Sequence, residues 1–178
     1  RSAGVYWRPE RQALMGLGLT SKLALVTGSA AGLDFATAEA LAREGARIII
    51  NGRTTARVDA AVTRLRKSIP GADIHGVAAD VATAAGCDRV TRVFPDVDVL
   101  VNNMGIFEPK AFEDIGDADW LRFFEANVLI GVRLARHYVR VMRSRNWGRI
   151  VFVASESGLQ VPAEMIDYGV TKNAQLTV

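Results

Sequence analysis

A short apolar run that passes directly into a glycine-rich turn and then a helical pattern restricts the fold of this chain most. Residues 23–27 have the composition of a buried parallel strand. The turn 28–33 (Gly-Ser-Ala-Ala-Gly-Leu) follows at once, and the alanine-rich amphipathic stretch 35–44 predicts a helix. Two glycines alone would indicate only an ordinary turn. Before the first helix of a strand–helix series, they predict a phosphate-binding turn at the helix N-terminus.

The alternation of strands and helices continues along the chain. Further strands are predicted over 47–51, 73–78, 97–101 and 149–154, and the clearest helices between them cover 56–68 and 117–145. Strands joined by helical crossovers pair in parallel. The sequence therefore predicts an α/β fold with a doubly wound parallel sheet in the order 3-2-1-4-5.

The end of the second predicted strand bears on which dinucleotide the turn would bind. An acidic side chain there would hydrogen-bond the ribose hydroxyls of NAD, whereas an arginine accommodates the 2′-phosphate of NADP. This chain has no acid at that point and has Arg53 after the strand. A guanidinium donates hydrogen bonds to phosphate in pairs. We therefore predict a preference for NADP(H), over the alternative of a solvated loop arginine.

Three polar residues near the end of the chain predict proton-transfer chemistry. Tyr168 and Lys172 are four residues apart, a spacing that places them on one helix face, and Ser155 precedes Tyr168 by thirteen residues. A nearby ammonium favours phenolate over phenol, which suits a tyrosine that exchanges a proton with a carbonyl or an alcohol. The serine hydroxyl could hold the same oxygen. Because this Tyr–Lys spacing also occurs on ordinary solvated helices, the prediction depends on the other motifs.

Together these motifs resemble the short-chain dehydrogenase/reductase family. The matching strings occur in the family's order and cover most of the chain; they are Thr27-Gly28-x-x-x-Gly32, Asp80, Asn102-Asn103-x-Gly105, Asn127, Ser155 and Tyr168 with Lys172. The resemblance implies a Rossmann-type sheet. It also implies an NAD(P)-dependent oxidoreductase that transfers a hydride between NADP(H) and a carbonyl or alcohol substrate.

The resemblance further implies a role for each matched residue. Tyr168 would be the general acid and base, and Ser155 would orient the substrate oxygen. Lys172 would hold the nicotinamide ribose, and Asn127 would position a water in a proton relay. The cofactor would be lined by Gly28, Ser29, Gly32, Leu33, Arg53, Asp80, Val81, Asn102, Gly105, Tyr168 and Lys172.

Two departures from the family pattern leave a second hypothesis open. Asp34 replaces the third glycine of the turn motif and adds charge and bulk where a diphosphate would rest, although it suits the helix dipole. The chain also ends at Val178, within the predicted Tyr168 helix, without the family's usual last strands. We therefore expect a single, C-terminally truncated domain over 15–178. The alternative to an enzyme is a non-catalytic fragment or remnant that binds nucleotide weakly or serves only as an interaction partner.

Composition argues against several other classes of protein. The 22 basic and 19 acidic residues are interspersed, which disfavours nucleic-acid binding, and no apolar run is long enough to cross a bilayer. Cys87 has no second cysteine to pair with, which fits a cytoplasmic protein. His75 and His137 stand apart, so we assign no metal. Residues 1–14 lack periodicity and are expected to be a disordered extension.

The resemblance also bears on partners. In the family, the helix predicted over 117–145 and the Tyr168 helix form a subunit interface, so a homodimer or homotetramer is implied. The sequence defines the substrate only as a small carbonyl or alcohol compound. One wall of its pocket would come from 158–167, which is mostly apolar.

Overall fold

The computed structural model describes residues 16–178, so the predicted extension over 1–14 lies outside the described residues. One sheet holds five strands, β1 (Leu23–Val26), β2 (Arg47–Gly52), β3 (Ile74–Ala78), β4 (Val99–Asn102) and β5 (Arg149–Phe152). Every neighbouring pair is parallel, and the order is β3-β2-β1-β4-β5. The predicted fold class and strand order are confirmed.

Within residues 16–178, six α-helices connect or follow the strands. They are α1 (Gly32–Arg43), α2 (Thr55–Ser68), α3 (Ala84–Val93), α4 (Asp117–Phe124), α5 (Ile130–Ser144) and α6 (Ile166–Thr177). Two of them begin at threonine caps, because the hydroxyls of Thr54 and Thr83 accept hydrogen bonds from the backbone N–H groups of Arg57 and Gly86. Short 3₁₀ turns lie at Phe112–Asp114 and Glu156–Gly158.

The single helix predicted over 117–145 is wrong in one respect. A π-helical turn, Glu125–Leu129, separates α4 from α5. The buried side chain of Asn127 in this turn is bound to the main chain of Ile106, on the loop that follows β4. Periodicity along the chain cannot reveal the turn, because a contact with a distant segment accompanies it.

Apolar side chains fill both faces of the sheet, as the doubly wound order requires. On one face, Phe35 of α1 and Leu65 of α2 pack against β1, β2 and β4. On the other face, Val90 of α3 and Leu134 and Tyr138 of α5 pack against the same strands. The three central strands β1, β2 and β4 are therefore buried between two helical layers, whereas the edge strands β3 and β5 are partly exposed. The carboxyl ends of the strands and the turns that follow them are left to form a site.

Candidate active site

The turn between β1 and α1 is built from two glycines in the left-handed region. Gly28 has φ +71° and Gly32 has φ +64°, values that L side chains rarely adopt. The helix consequently begins at Gly32, three residues earlier than predicted. The Ser29 hydroxyl is buried, donating to the Val26 carbonyl at 2.7 Å and accepting from the Asn51 N–H at 3.0 Å.

Asn51 at the end of β2 fixes the position of this turn. Its Oδ1 accepts from the Gly28 N–H at 3.2 Å, and its Nδ2 donates to the carbonyls of Val77 and Ala79 at 3.2 and 3.1 Å. One buried side chain thus joins the ends of β1, β2 and β3. The sequence analysis did not identify Asn51, because an asparagine that closes an apolar strand is also an ordinary turn signal.

A first cleft of about 580 Å³ opens over these strand ends. Its walls come from the glycine turn, the ends of β2 and β3, and the loop after β4. Of the predicted cofactor residues, it is lined by Gly28, Arg53, Asp80, Val81 and Gly105. Arg57 in the first turn of α2 lines it as well, so a second guanidinium that the sequence analysis missed stands beside Arg53.

The end of β4 is anchored by Thr27 rather than by its own asparagine. The Thr27 hydroxyl accepts from the N–H groups of Asn103 and Met104, both at 3.1 Å. The side-chain amide of Asn102 is buried, and within residues 16–178 neither of its polar atoms has a hydrogen-bond partner. Asn102, a predicted cofactor residue, lines neither the first cleft nor the second cleft described next.

A second cleft, of about 260 Å³, adjoins the first. The two clefts share Gly105 and Ile106, which form a common wall. Ser155, Tyr168, Lys172 and the exposed Leu33 all line the second cleft. The structure therefore brings together three of the four predicted catalytic side chains, next to the cleft that the glycine turn borders.

The residues of the second cleft come from two neighbouring elements. Ser155 follows β5, and its Oγ accepts from the Ser157 N–H at 3.2 Å as the cap of a 3₁₀ turn. Tyr168 and Lys172 lie on α6, with the lysine Nζ 5.7 Å from the centre of the tyrosine ring. Phe107 packs edge-on against that ring with 6.2 Å between centroids. The predicted sharing of one helix face by the tyrosine and the lysine is confirmed.

Lys172 is buried, with only 4% of its surface exposed. Its ammonium donates to the Val153 carbonyl at 2.9 Å and to the Gln175 Oε1 at 3.0 Å. Burial lowers the pKa of Lys172, and the nearby carboxyl of Asp34 acts in the opposite direction. The lysine is held by neutral acceptors, and Gln175 was not identified from the sequence.

Asn127, the fourth catalytic candidate, lies behind the wall shared by the clefts. Its Oδ1 accepts from the Ile106 N–H at 2.7 Å, and its Nδ2 donates to the Ile106 carbonyl at 3.0 Å and to the Thr171 hydroxyl at 2.9 Å. Its own carbonyl accepts a hydrogen bond from the Gln175 amide. Asn127 thus joins the π-helical turn to the loop after β4 and to the α6 helix.

Asp34, in the first turn of α1, lies against the glycine turn. A Cβ on Gly28 would lie 3.3 Å from the Asp34 Oδ2, so the carboxyl group covers the first glycine of the turn. Its Oδ1 is buried and has no hydrogen-bond partner within residues 16–178. Burial raises the pKa of Asp34 to about 6, while Lys172 acts to lower it. The structure therefore places the Asp34 carboxyl group directly against the first glycine of the turn.

This arrangement agrees with comparisons against known proteins. Residues 22–177 match the model of the short chain dehydrogenase family. The chain belongs to that family. The match spans both clefts of this short-chain dehydrogenase and every strand and helix described within residues 16–178.

Individual relatives of this short-chain dehydrogenase are oxidoreductases. The uncharacterized oxidoreductase YvaG of Bacillus subtilis is 44% identical over 164 residues, which are 92% of this chain and 62% of the relative. D-beta-hydroxybutyrate dehydrogenase of Cupriavidus necator is 35% identical over 87% of this chain and 61% of its own length. The chain thus spans about three-fifths of the curated relatives it matches.

Solved structures give the same result. The crystal structure of L-sorbose reductase from Gluconobacter frateurii, complexed with NADPH and L-sorbose, superimposes with a TM-score of 0.86 at 36% identity. That alignment covers 92% of this chain and 63% of the reductase. The short-chain dehydrogenase fold is therefore shared in its strands and helices over this region.

Two further properties concern the described part of the chain. Within residues 16–178, no helix combines the length and apolar character needed to cross a membrane. In the same residues, no three His, Cys, Asp or Glu side chains are grouped so that they could hold a metal ion.

Proposed function

We propose that the chain carries the cofactor site and the proton-transfer residues of an oxidoreductase that moves a hydride between NADP(H) and a carbonyl or alcohol substrate. The proposal depends on one observation above all. Ser155, Tyr168 and Lys172 line a cleft that shares the wall of Gly105 and Ile106 with the cleft beside the glycine turn. A dinucleotide needs two adjoining compartments of this kind, one for each half.

The residues present fit such a cofactor. Gly28 and Gly32 are left-handed and carry no side chains of their own where a diphosphate would approach the start of α1, although the carboxyl group of Asp34 covers Gly28. A Cβ on Gly105 would lie 3.6 Å from the Lys172 Nζ, so a larger residue there would narrow the passage between the clefts. Lys172 and Ser155 would meet the nicotinamide half, and Arg53 and Asp80 the adenosine half.

In the proposed reaction, the bound cofactor supplies or accepts the hydride. Tyr168 gives a proton to the substrate oxygen in reduction and removes it in oxidation. Ser155 donates a hydrogen bond to the same oxygen and so fixes its position. The buried ammonium of Lys172 lies beside the tyrosine ring, where it would hold the nicotinamide ribose, and Asn127 supports the wall behind which a relay water would lie.

The preference for NADP(H) over NAD(H) is part of this proposal. Arg53 and Arg57 both line the first cleft, at the end of β2 and the start of α2. Paired guanidinium groups suit a phosphate monoester such as the 2′-phosphate of NADP. In the solved L-sorbose reductase the bound cofactor is NADPH, which is consistent with this choice.

The alternative, a nucleotide-binding remnant without catalysis, has less support. A protein that has lost catalysis does not need all four candidate side chains. Here all four are present: Ser155, Tyr168 and Lys172 line one cleft, and Asn127 supports its wall. Asp34 is the residue that still favours weak binding, and its effect can be measured directly.

We also propose the homodimer or homotetramer that the family resemblance implies. Its support is a series of exposed apolar side chains on α4, the π-helical turn, α5 and α6, namely Leu121, Leu129, Val139, Val170 and Leu176. Light scattering after size-exclusion chromatography would test it, since a monomer at micromolar concentration would contradict it.

A cytoplasmic location remains a prediction, supported by the buried free thiol of Cys87.

Titration with nicotinamide nucleotides tests the function. The purified chain would be titrated with NADPH and, separately, NADH, following the nicotinamide fluorescence. We expect both to bind, with NADPH the tighter. A screen of carbonyl substrates with NADPH would then follow absorbance. Failure of both nucleotides to bind would refute the proposal, whereas tighter NADH binding would refute only the preference for NADP(H).

A further inference from the structure

Asp34 lies close to one residue of each cleft. Its Oδ2 covers Gly28, which lines the first cleft, and its charge acts on Lys172, which lines the second. A dinucleotide that filled both clefts would contact Gly28 and Lys172 and would therefore lie close to this carboxyl group. The Asp34 side chain therefore stands where it can influence both halves of such a ligand.

The surroundings of Asp34 compensate its charge poorly. Gly28, which it meets on the β1 side, is uncharged. On the α6 side it faces the ammonium of Lys172, whose hydrogen bonds go to Val153 and Gln175. One carboxyl oxygen remains buried without a hydrogen-bond partner within residues 16–178. An anion that approaches this point meets a desolvated carboxylate, and repulsion between like charges is strong where water is excluded.

We propose that Asp34 couples dinucleotide binding to a proton: the anionic diphosphate binds best when the Asp34 carboxyl is protonated, so that affinity falls as the pH rises. This inference rests on the proposed function and adds a determinant of affinity to it. In reaction terms, binding above neutral pH takes up one proton, which converts the carboxylate to the neutral acid. The uncharged acid can also donate its hydrogen to an oxygen of the ligand, which a carboxylate cannot.

The Asp34 carboxyl group titrates in a pH range where binding can be measured. Burial raises the pKa of Asp34 to about 6, within the range where a protein is studied, and a bound diphosphate would raise it further. Above the free-protein pKa, each pH unit can weaken binding by at most about tenfold until the pKa of the complex is passed.

Affinity measured against pH is the main test. Wild type, Asp34→Asn, Asp34→Gly and Glu44→Gln would be titrated with NADH from about pH 5.5 to about pH 8.5. NADH is the primary probe because the 2′-phosphate of NADPH titrates near pH 6, like other phosphate monoesters, and would obscure the effect. Glu44→Gln is the matched control, since it removes one negative charge from the far end of α1, about 15 Å away.

We expect the wild type to lose affinity above about pH 6, Glu44→Gln to follow it, and Asp34→Asn to show a flat profile with affinity about tenfold tighter at pH 8. Asp34→Gly should resemble Asp34→Asn. If Asp34→Asn keeps the wild-type profile, the inference is wrong. If only Asp34→Gly gains affinity, bulk rather than charge limits binding, and the inference is again wrong. If no variant binds either nucleotide, the proposed function fails and this inference with it.

A second measurement needs no nucleotide. The folded protein holds the Asp34 proton more tightly than the unfolded chain does, so stability relative to Asp34→Asn should fall as the pH rises from about 4 to about 6 and then level off. Urea denaturation of both proteins across this range would show the trend. A difference that does not change with pH would mean that Asp34 does not titrate there, which would overturn the inference.

Discussion

The ammonium of Lys172 lies 3.0 Å from the Oε1 of Gln175, one helical turn along α6. The amide nitrogen of the same glutamine donates to the main-chain carbonyl of Asn127 in the π-helical turn. A single buried side chain thus connects two catalytic candidates that belong to different helices. Its two ends are of opposite type, an acceptor toward the lysine and a donor toward the carbonyl, so no reversed amide would serve both.

Replacement of Gln175 by leucine should destabilise the protein. The change keeps the volume roughly constant but leaves a buried ammonium and a buried carbonyl each short of a partner. We expect a loss of about 2–3 kcal/mol in the free energy of unfolding, measured by urea denaturation. Gln160→Leu is the control, because Gln160 is exposed and its replacement should change stability by less than about 0.5 kcal/mol. Equal stabilities of the two variants would show that the bridge contributes nothing.

Removal of the Arg53 guanidinium should reduce discrimination between the two nucleotides. We expect Arg53→Ala to weaken NADPH binding by about tenfold or more and to leave NADH binding nearly unchanged, since only NADPH carries the phosphate. Arg57→Ala should act in the same direction. Arg92→Ala, on the exposed side of α3, removes the same charge elsewhere and should leave the ratio of affinities as it is. Equal losses for both nucleotides would indicate a general electrostatic role instead.

Tyr168→Phe should separate chemistry from binding. Loss of the phenolic hydroxyl removes the proposed acid and base, so turnover should fall by about 10²- to 10⁴-fold. The ring remains and can still pack against Phe107, so the dissociation constant of NADPH should change little. Fluorescence titration and absorbance assays on the same preparation would measure the two effects. Turnover close to that of the wild type would mean that the proton comes from another group.

Gly169 should not tolerate a methyl group. A Cβ there would lie 2.8 Å from the Ser157 carbonyl and 2.5 Å from the Val161 side chain. Since the carbonyl belongs to the main chain and cannot rotate away, Gly169→Ala should cost about 2–3 kcal/mol and displace the segment that follows Ser155. Gly116→Ala is a useful comparison, because nothing lies within 4 Å of its Cβ position, and it should cost less than about 1 kcal/mol. Thermal or urea unfolding of both variants would measure the two losses in stability, and equal losses would contradict the prediction.

The thiol of Cys87 should be unreactive in the native protein. It is buried and hydrogen-bonds to the Val81 carbonyl, and burial raises its pKa to about 11, so almost no thiolate exists at pH 8. A thiol reagent such as iodoacetamide should therefore label the protein only as fast as it unfolds. Rapid labelling without denaturant would contradict the buried position of this side chain.

Much of the fold was predictable because alternating strand and helix patterns restrict a parallel sheet to a few topologies. The strand order and the shared face of Tyr168 and Lys172 follow from periods along the chain. The roles of Asn51, Thr27 and Gln175 do not, since each depends on which distant main-chain groups need a partner. Similarly, the break in the helix predicted over 117–145 depends on the bond between Asn127 and Ile106. The periodicity of a sequence indicates which residues are buried, whereas these residues make single hydrogen bonds to main-chain groups that are distant in the sequence.

The wall formed by Gly105 and Ile106 has a consequence for how ligands should compete. Both clefts use this wall, so they lie next to each other. A mononucleotide can fill only one of them, whereas a dinucleotide can fill both. Once its first half is bound, the second half binds at a high effective concentration, which raises affinity without any new contact. The affinity of the whole should then exceed that of either fragment by orders of magnitude, and the gain depends on the length of the link. Two clefts that each bind weakly alone would therefore select ligands by the length of the linker between the two halves.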